Sequence, residues 1–243
     1  MLSHIKIVLV ETSHPGNIGA VARAMKNMAM SNLRLVSPKI FPSADATSRA
    51  SGANDILSGA EIYGSLSDAI ADCQIVLGAS ARDRTISWPE LTARECAEKY
   101  AGGEGTLKTK VAIVFGRENS GLKNHELDLC HYLLRIPCNS DYSSLNLAAA
   151  VQVVSYELFI ATGHKEESTI GDKNADPLAS QKQMELFYQH LQQTIADIGF
   201  LHADKTQSVM RRLRRIFNRI ELDTKELDIL RGIFRYSQNH NKK

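Results

Sequence analysis

The chain has 243 residues, 43% of them hydrophobic and 23% charged, and 29 Lys and Arg stand against 27 Asp and Glu for a formal net charge of +2. That length holds one mid-sized domain and a smaller unit, and the balance excludes a disordered or highly charged chain. No apolar run approaches the ~20 residues that a membrane-spanning helix needs, and residues 1–6 lack a signal-peptide layout, so a cytoplasmic protein without membrane contact is expected.

Residues 5–10 (IKIVLV) read as a buried strand. A helical pattern follows over 17–30, carried by Ile18, Val21, Ala22, Met25 and Met28. Residues 33–36 form a second short strand, closed by Pro38, and 41–59, rich in Ser, Ala and Asp, suggest loops and short helices. Further strands are expected at 75–78 and 111–115, with a helix over 89–100 between them that carries Pro89 in its first turn. The last strand is predicted at 133–136, and 145–162 is a long, largely apolar helix. Strands alternating with helices over 1–162 predict an α/β domain with a mostly parallel sheet and helices on both faces. Residues 163–179 turn polar and read as a linker. A small helical unit over 180–243 follows. Ser180 with Gln183 opens its first helix, whose stripe of Met184, Phe187, Leu191, Ile195 and Ile198 ends at Gly199. Two more helices are predicted over 204–220 and 223–236, the latter with Asp223 and Glu226 as a capping box.

Cys73, Cys96, Cys130 and Cys138 are widely spaced with no C-x-x-C pair and read as buried, reduced thiols. The eight histidines show no metal-ligand spacing, so no metal is expected. Residues 111–123 have the outline of a phosphate-binding loop, with a strand, Gly116-x-x-x-x-Gly121 and a helix. Leu122 and Lys123 stand where that loop needs Lys and then Ser or Thr, which argues against a nucleoside triphosphate. Gly16-Asn17-Ile18-Gly19 lacks the third glycine of a dinucleotide fingerprint.

Three segments at element edges carry most of the chemistry: Pro15-Gly16-Asn17-Ile18-Gly19 through Arg23, Phe115-Gly116-Arg117-Glu118-Asn119-Ser120-Gly121, and Ser143-Ser144-Leu145-Asn146. Low side-chain bulk lets backbone amides and hydroxyls approach a ligand closely. Each taken alone is also explained as a turn or a helix cap. Together they suggest a built binding site. Arg23 lies on the first helix beside its glycines, and Asn146, a poor helix former just inside its helix, favours a functional role. A separate basic stretch holds Lys205, Arg211, Arg212, Arg214, Arg215 and Arg219 with no acid among them. On a helix Arg211, Arg214 and Arg215 share one face, and Arg212, Arg215 and Arg219 another. Six uncompensated charges favour phosphate contact over a merely solvated face.

These three segments in order, with Ala79-Ser80-Ala81-Arg82, Ile136-Pro137, Arg211 through Asn218 and Leu230-Arg231-Gly232-Ile233, resemble the SPOUT class of S-adenosylmethionine-dependent RNA methyltransferases over essentially the whole chain. The likeness is strongest to its tRNA ribose 2′-O-methyltransferases. It implies a trefoil knot at the C-terminal end of the α/β domain, a rare exception to unknotted topology. It implies S-adenosylmethionine held by Ala79, Ser80, Ala81, Gly116, Ile136, Ser143, Ser144 and Leu145. It also implies catalysis by Arg23 with Asn17, Glu118 and Asn146, with Glu118 orienting Arg117. Further implied are a homodimer with its active site at the subunit interface, and tRNA as the partner, methylated in the anticodon loop at position 32. The alternatives are a sister enzyme acting on ribosomal RNA or another tRNA nucleotide, and a silent RNA-binding protein that kept the fold.

Overall fold

The computed structural model describes residues 2–81, 88–101, 109–139, 141–142, 144–163, 176–200 and 206–240. The strands are β1 (Ile5–Val10), β2 (Leu33–Val36), β3 (Glu61–Tyr63), β4 (Ile75–Ala79), β5 (Glu90–Thr92), β6 (Val111–Phe115) and β7 (Tyr132–Arg135), all but the short β3 and β5 built on aliphatic runs. They make one sheet in the order β3-β2-β1-β6-β4-β7-β5, and every neighbouring pair is parallel. The inner strands are covered on both faces and are mostly apolar; the exceptions are Lys6 in β1 and Arg34 in β2, both buried and paired with Asp72, and Arg135 at the end of β7. Alternate residues still divide between two cores. Ile7, Leu9, Leu35, Leu77 and Ile113 share one core with α1 (Pro15–Asn27), α5 (Ala93–Tyr100) and α7 (Leu147–Gly163). Val8, Val10, Val76 and Val114 share the other with Trp88, Leu66 and Leu127. Leu66 lies in α4 (Leu66–Ala69) and Leu127 in α6 (Asn124–Leu127), so helices cover both faces.

Two strands escaped the sequence reading. Both are edges. β3 exposes Glu61 and Ile62 and so has no burial pattern to read. β5 corrects the helix expected over 89–100: Glu90 pairs with Leu133, and the helix begins after Thr92. The reason is local, because Thr92 and Glu95 form a capping box, with Glu95 N donating to Thr92 Oγ1 at 3.2 Å and Thr92 N to Glu95 Oε2 at 2.7 Å. Helix α1 starts two residues earlier than expected, with Pro15 in its first turn, and ends at Asn27.

Two short helices, α2 (Ala44–Ala50) and α3 (Asn54–Ser58), follow β2. They meet the first glycine segment. A Cβ on Gly19 would lie 2.0 Å from the Ala46 carbonyl oxygen, and one on Gly16 would lie 2.8 Å from Asp45 Oδ2. Gly19 therefore lets α1 pack closely on α2, whereas at Gly16 a Cβ would meet only the tip of the flexible Asp45 side chain.

The C-terminal unit consists of α8 (Gln181–Asp197), α9 (Thr206–Arg219) and α10 (Thr224–His240) around a core of its own that includes Met184, Phe187, Leu191, Met210 and Leu227. The capping boxes read at Ser180 and Asp223 are formed. The unit is pinned to the sheet domain by polar contacts: Gln181 N donates to Cys73 O at 2.7 Å, Asn218 Nδ2 to Cys130 O at 3.3 Å, and Tyr100 Oη to Glu221 Oε1 at 3.0 Å. Lys99 and Tyr132 also donate to that same Glu221 carboxylate, on the turn between α9 and α10.

Candidate active site

Strands β6, β4 and β7 lie side by side, and the segments after their C-terminal ends enclose a cavity of about 260 Å³. In a parallel sheet this is where ligands bind, because the connecting loops diverge there. Its apolar wall includes Phe115, Leu134, Ile136, Leu145 and Leu147, and Ala79, Ser80, Ala81, Gly116 and Ser144 supply small side chains and backbone. The sequence-derived cofactor residues are therefore brought together, except Ser143, which lies outside the described residues. Gly116 has no room for a side chain unless the wall shifts: a Cβ there would lie 2.2 Å from the Gly121 carbonyl carbon and 2.4 Å from Leu122 N. Gly121, with φ +67°, closes the turn, donating its N–H to Arg117 O at 2.8 Å and accepting from Arg117 N at 3.3 Å.

Glu118 sits beside this turn and faces the segment between β1 and α1. Its carboxylate accepts from Ser13 N at 3.1 Å, Ser13 Oγ at 3.0 Å and Asn17 Nδ2 at 3.0 Å. Burial pushes its pKa up, but the donors from Asn17, its own backbone and Ser13 outweigh that and hold it down at about 2. Glu118 is thus an ionised anchor. Asn146 caps α7, with Ala148 N donating to its Oδ1 at 2.9 Å, and its Nδ2 lies 3.5 Å from Asn17 Oδ1. This corrects its placement inside the helix: as the cap it satisfies an otherwise orphaned N–H, which explains its poor helix propensity.

Arg117 is not oriented by Glu118. It pairs with Glu11 at the end of β1, Nε to Oε2 at 2.8 Å, and with Glu126 of α6, at 3.0 and 2.8 Å. Sequence reasoning missed both carboxylates, since nothing local marks them as partners of residue 117. It also missed Cys138, which is exposed and lines the cavity, whereas Cys73, Cys96 and Cys130 are buried, with burial pushing the Cys96 thiol up to about 12.

Arg23 does not reach this cavity. It projects from the exposed side of α1, and it forms no hydrogen bond or ion pair with the described residues. The basic residues of α9 also divide. Arg211 donates to Asp128 Oδ1 at 3.0 Å, and Arg214 binds both oxygens of Glu185 at 2.7 and 2.8 Å with its guanidinium 4.3 Å from the Tyr188 ring centre. The charge is therefore not uncompensated, because acids from other elements neutralise these two. Arg212 and Arg219 are exposed, Arg215 is half-buried, and Lys205 lies outside the described residues. Among the described residues no group of His, Cys, Asp or Glu could hold a metal ion, and no helix is long and apolar enough to cross a membrane.

The sequence pattern of the SpoU rRNA Methylase family matches residues 4–156, and that of the tRNA methyltransferase TrmJ C-terminal domain matches residues 182–243. The chain is 46% identical over 245 residues to the tRNA (cytidine/uridine-2′-O-)-methyltransferase TrmJ of Citrobacter koseri, spanning 100% of this chain and 99% of that one. It is 47% identical over 251 residues to the tRNA (cytidine/uridine/adenosine-2′-O-)-methyltransferase TrmJ of Pseudomonas aeruginosa, spanning 98% and 95%. The crystal structure of TrmJ from Z. mobilis ZM4 superposes with a TM-score of 0.80 at 30% identity, over 95% of this chain and 97% of that one.

Proposed function

Because the chain belongs to the SpoU methylase family and ends in a TrmJ C-terminal domain, we propose that it is a tRNA ribose 2′-O-methyltransferase that uses S-adenosylmethionine and acts on cytidine or uridine at position 32 of the anticodon loop. The observation that carries this reading is the cavity beyond β4, β6 and β7, joined to identity with such enzymes over the full chain. The cavity fits the cofactor. Its apolar wall suits an adenosine, and the cradle at Gly116, which a Cβ would fill, lets backbone approach a ligand. Ala79, Ser80, Ala81, Gly116, Ile136, Ser144 and Leu145 would hold it, with Ser143 beside them. The convergence of these segments on one cavity also supports the knot expected of the fold.

The cofactor supplies a methyl group already activated on a sulfonium. What falls to the chain is to align the ribose 2′-oxygen, shield the methyl group from water and stabilise negative charge on that oxygen as its proton passes to bulk solvent. Glu118, ionised and occupied by Ser13 and Asn17, serves this by fixing Asn17, and through it Asn146. Arg23 is free to act on RNA. A guanidinium with a pKa above ~12 is no general base at neutral pH, so its role is to hold the adjoining phosphate and the 2′-oxygen through its fork of donors.

Since Arg23 does not line the cavity of its own chain, we place it at the cavity of a second copy in a homodimer. The exposed Val153, Tyr156 and Phe159 on α7, the helix packed beside α1, support an interface there. We take 1–162 as the methyltransferase domain, 163–179 as a linker and 180–243 as the tRNA-binding unit, with Arg212, Arg215 and Arg219 as its phosphate contacts and Lys205 beside them. Arg211 and Arg214 chiefly hold the unit together. Arg23→Lys keeps the charge but loses the fork, and turnover should fall by roughly 10²-fold or more with cofactor affinity unchanged. Mixing Arg23→Ala with Gly116→Ala protomers should restore activity through hybrid dimers that hold one intact site. Near wild-type turnover in Arg23→Lys would end the assignment, and no recovery on mixing would end the shared site.

A further inference from the structure

We propose that Arg117 is a positioning residue that sets the affinity of the cavity for its cofactor, with Glu11 and Glu126 as its fixed anchors. This rests on the cavity being the S-adenosylmethionine site. The segment from Gly116 to Gly121 lines the cavity with Gly116, Arg117, Glu118, Asn119 and Gly121. Such a segment, glycine at both ends, has high conformational entropy when nothing holds it. The Arg117 side chain holds it.

All five guanidinium N–H groups are used. Nε donates to Glu11 Oε2, Nη2 to Glu11 Oε1 and Glu126 Oε1, and Nη1 to Glu126 Oε2 and, at 3.4 Å, to the Gly121 carbonyl. One side chain thereby ties the end of β1, both ends of the turn and the first turn of α6. Glu126 is buried and is itself fixed by the Lys123 N–H at 2.6 Å, so the anchor does not move. An exposed ion pair would contribute little, but the Arg117 and Glu126 side chains are only 12% and 6% exposed, and removing one partner leaves the other charged and buried. The rigid fork also explains the residue type. Lysine offers three donors on a flexible stem and cannot reach both carboxylates and the carbonyl together.

The test is calorimetric titration of S-adenosylmethionine and of S-adenosylhomocysteine into the full-length protein, paired with steady-state methylation of tRNA. Arg117→Lys should weaken cofactor binding roughly tenfold or more, with kcat at saturating cofactor changed by less than about threefold. Glu11→Gln, on the more exposed anchor, should give a smaller loss in the same direction. Arg94→Lys perturbs a more exposed fork to the single carboxylate of Glu157, between α5 and α7 and outside the cavity lining, and should change neither constant. If Arg117→Lys fails to fold, Glu11→Gln decides. Cofactor affinity within about twofold of wild type in the folded variants would overturn the proposal, as would a fall in kcat with KM unchanged. Wild-type protein that binds neither cofactor nor product would overturn the reading of the cavity as well, which separates the two failures.

Discussion

Replacing Gly116 with alanine tests whether the cavity wall is built by backbone contact. The added Cβ would lie 2.2 Å from the Gly121 carbonyl carbon and 2.4 Å from Leu122 N, both backbone atoms with no side chain to yield. To reach ordinary contact the wall must retreat by about 1 Å or more, a displacement that can cost a site up to ~10²-fold. Overpacking costs about 1–3 kcal/mol, and a backbone clash belongs at the upper end. In a chain of this length about 2–3 kcal/mol lowers Tm by roughly 4–12 °C. Gly19→Ala supplies the comparison, since its Cβ would lie 2.0 Å from the Ala46 carbonyl oxygen, between α1 and α2 and outside the cavity lining. Thermal unfolding should show similar losses for the two variants. Calorimetry with S-adenosylhomocysteine, run well below both melting points, should show binding weakened about 10²-fold for Gly116→Ala and nearly unchanged for Gly19→Ala. Full affinity in Gly116→Ala, or an equal loss in Gly19→Ala, would refute the assignment of the cavity.

Further outcomes follow from the charged groups. The Glu118 pKa lies at about 2 when folded, against an ordinary 4.5, so its ionic contacts stabilise the fold fully above pH 4.5 and lose that contribution as pH falls through about 2. The stability gap between wild type and Glu118→Gln, measured by urea unfolding, should be widest near neutrality and narrow steadily below pH 4.5; a gap independent of pH would contradict the assigned charge. Arg214→Ala removes a two-pronged pair with Glu185 and a cation–π contact with Tyr188, and should cost about 1–2 kcal/mol with little effect on tRNA binding by the remaining arginines. Arg212→Ala with Arg219→Ala should leave stability unchanged, weaken tRNA binding and lower the salt slope by roughly one to two, as read by filter binding across a salt series. Unaltered affinity would remove α9 from the RNA surface.

Much of the sheet was legible because strands buried on both faces are nearly continuous apolar runs, as in β6 and, apart from Lys6, in β1. The edges were not. β3 and β5 are three residues long and half-exposed, so propensity is silent on them, and at β5 the Thr92–Glu95 capping box moved the helix start. The cavity was partly visible because ligand approach needs small residues, and Gly116 and Ser144 retain that signature in one dimension, whereas Ala79 and Ser80 came only with the family resemblance. The same logic does not separate two roles at Gly19, since close helix packing and close ligand approach place the same demand on a side chain. Charge partners were the least legible. Glu11 lies 106 residues from Arg117, and Asp128 lies 83 residues from Arg211, distances over which only the fold decides who meets whom. Asn146 could have been placed from sequence alone, as an asparagine directly before the apolar helix LAAAV is a cap by position.

The most direct test of the central claim is to incubate the purified chain with labelled S-adenosylmethionine and unmodified tRNA transcripts, then map the labelled nucleotide by mass spectrometry. The account predicts a single 2′-O-methyl group on cytidine or uridine at position 32. Label in ribosomal RNA and none in tRNA would contradict the substrate, and label in neither, with cofactor still bound, would contradict the reaction and favour a silent RNA-binding protein.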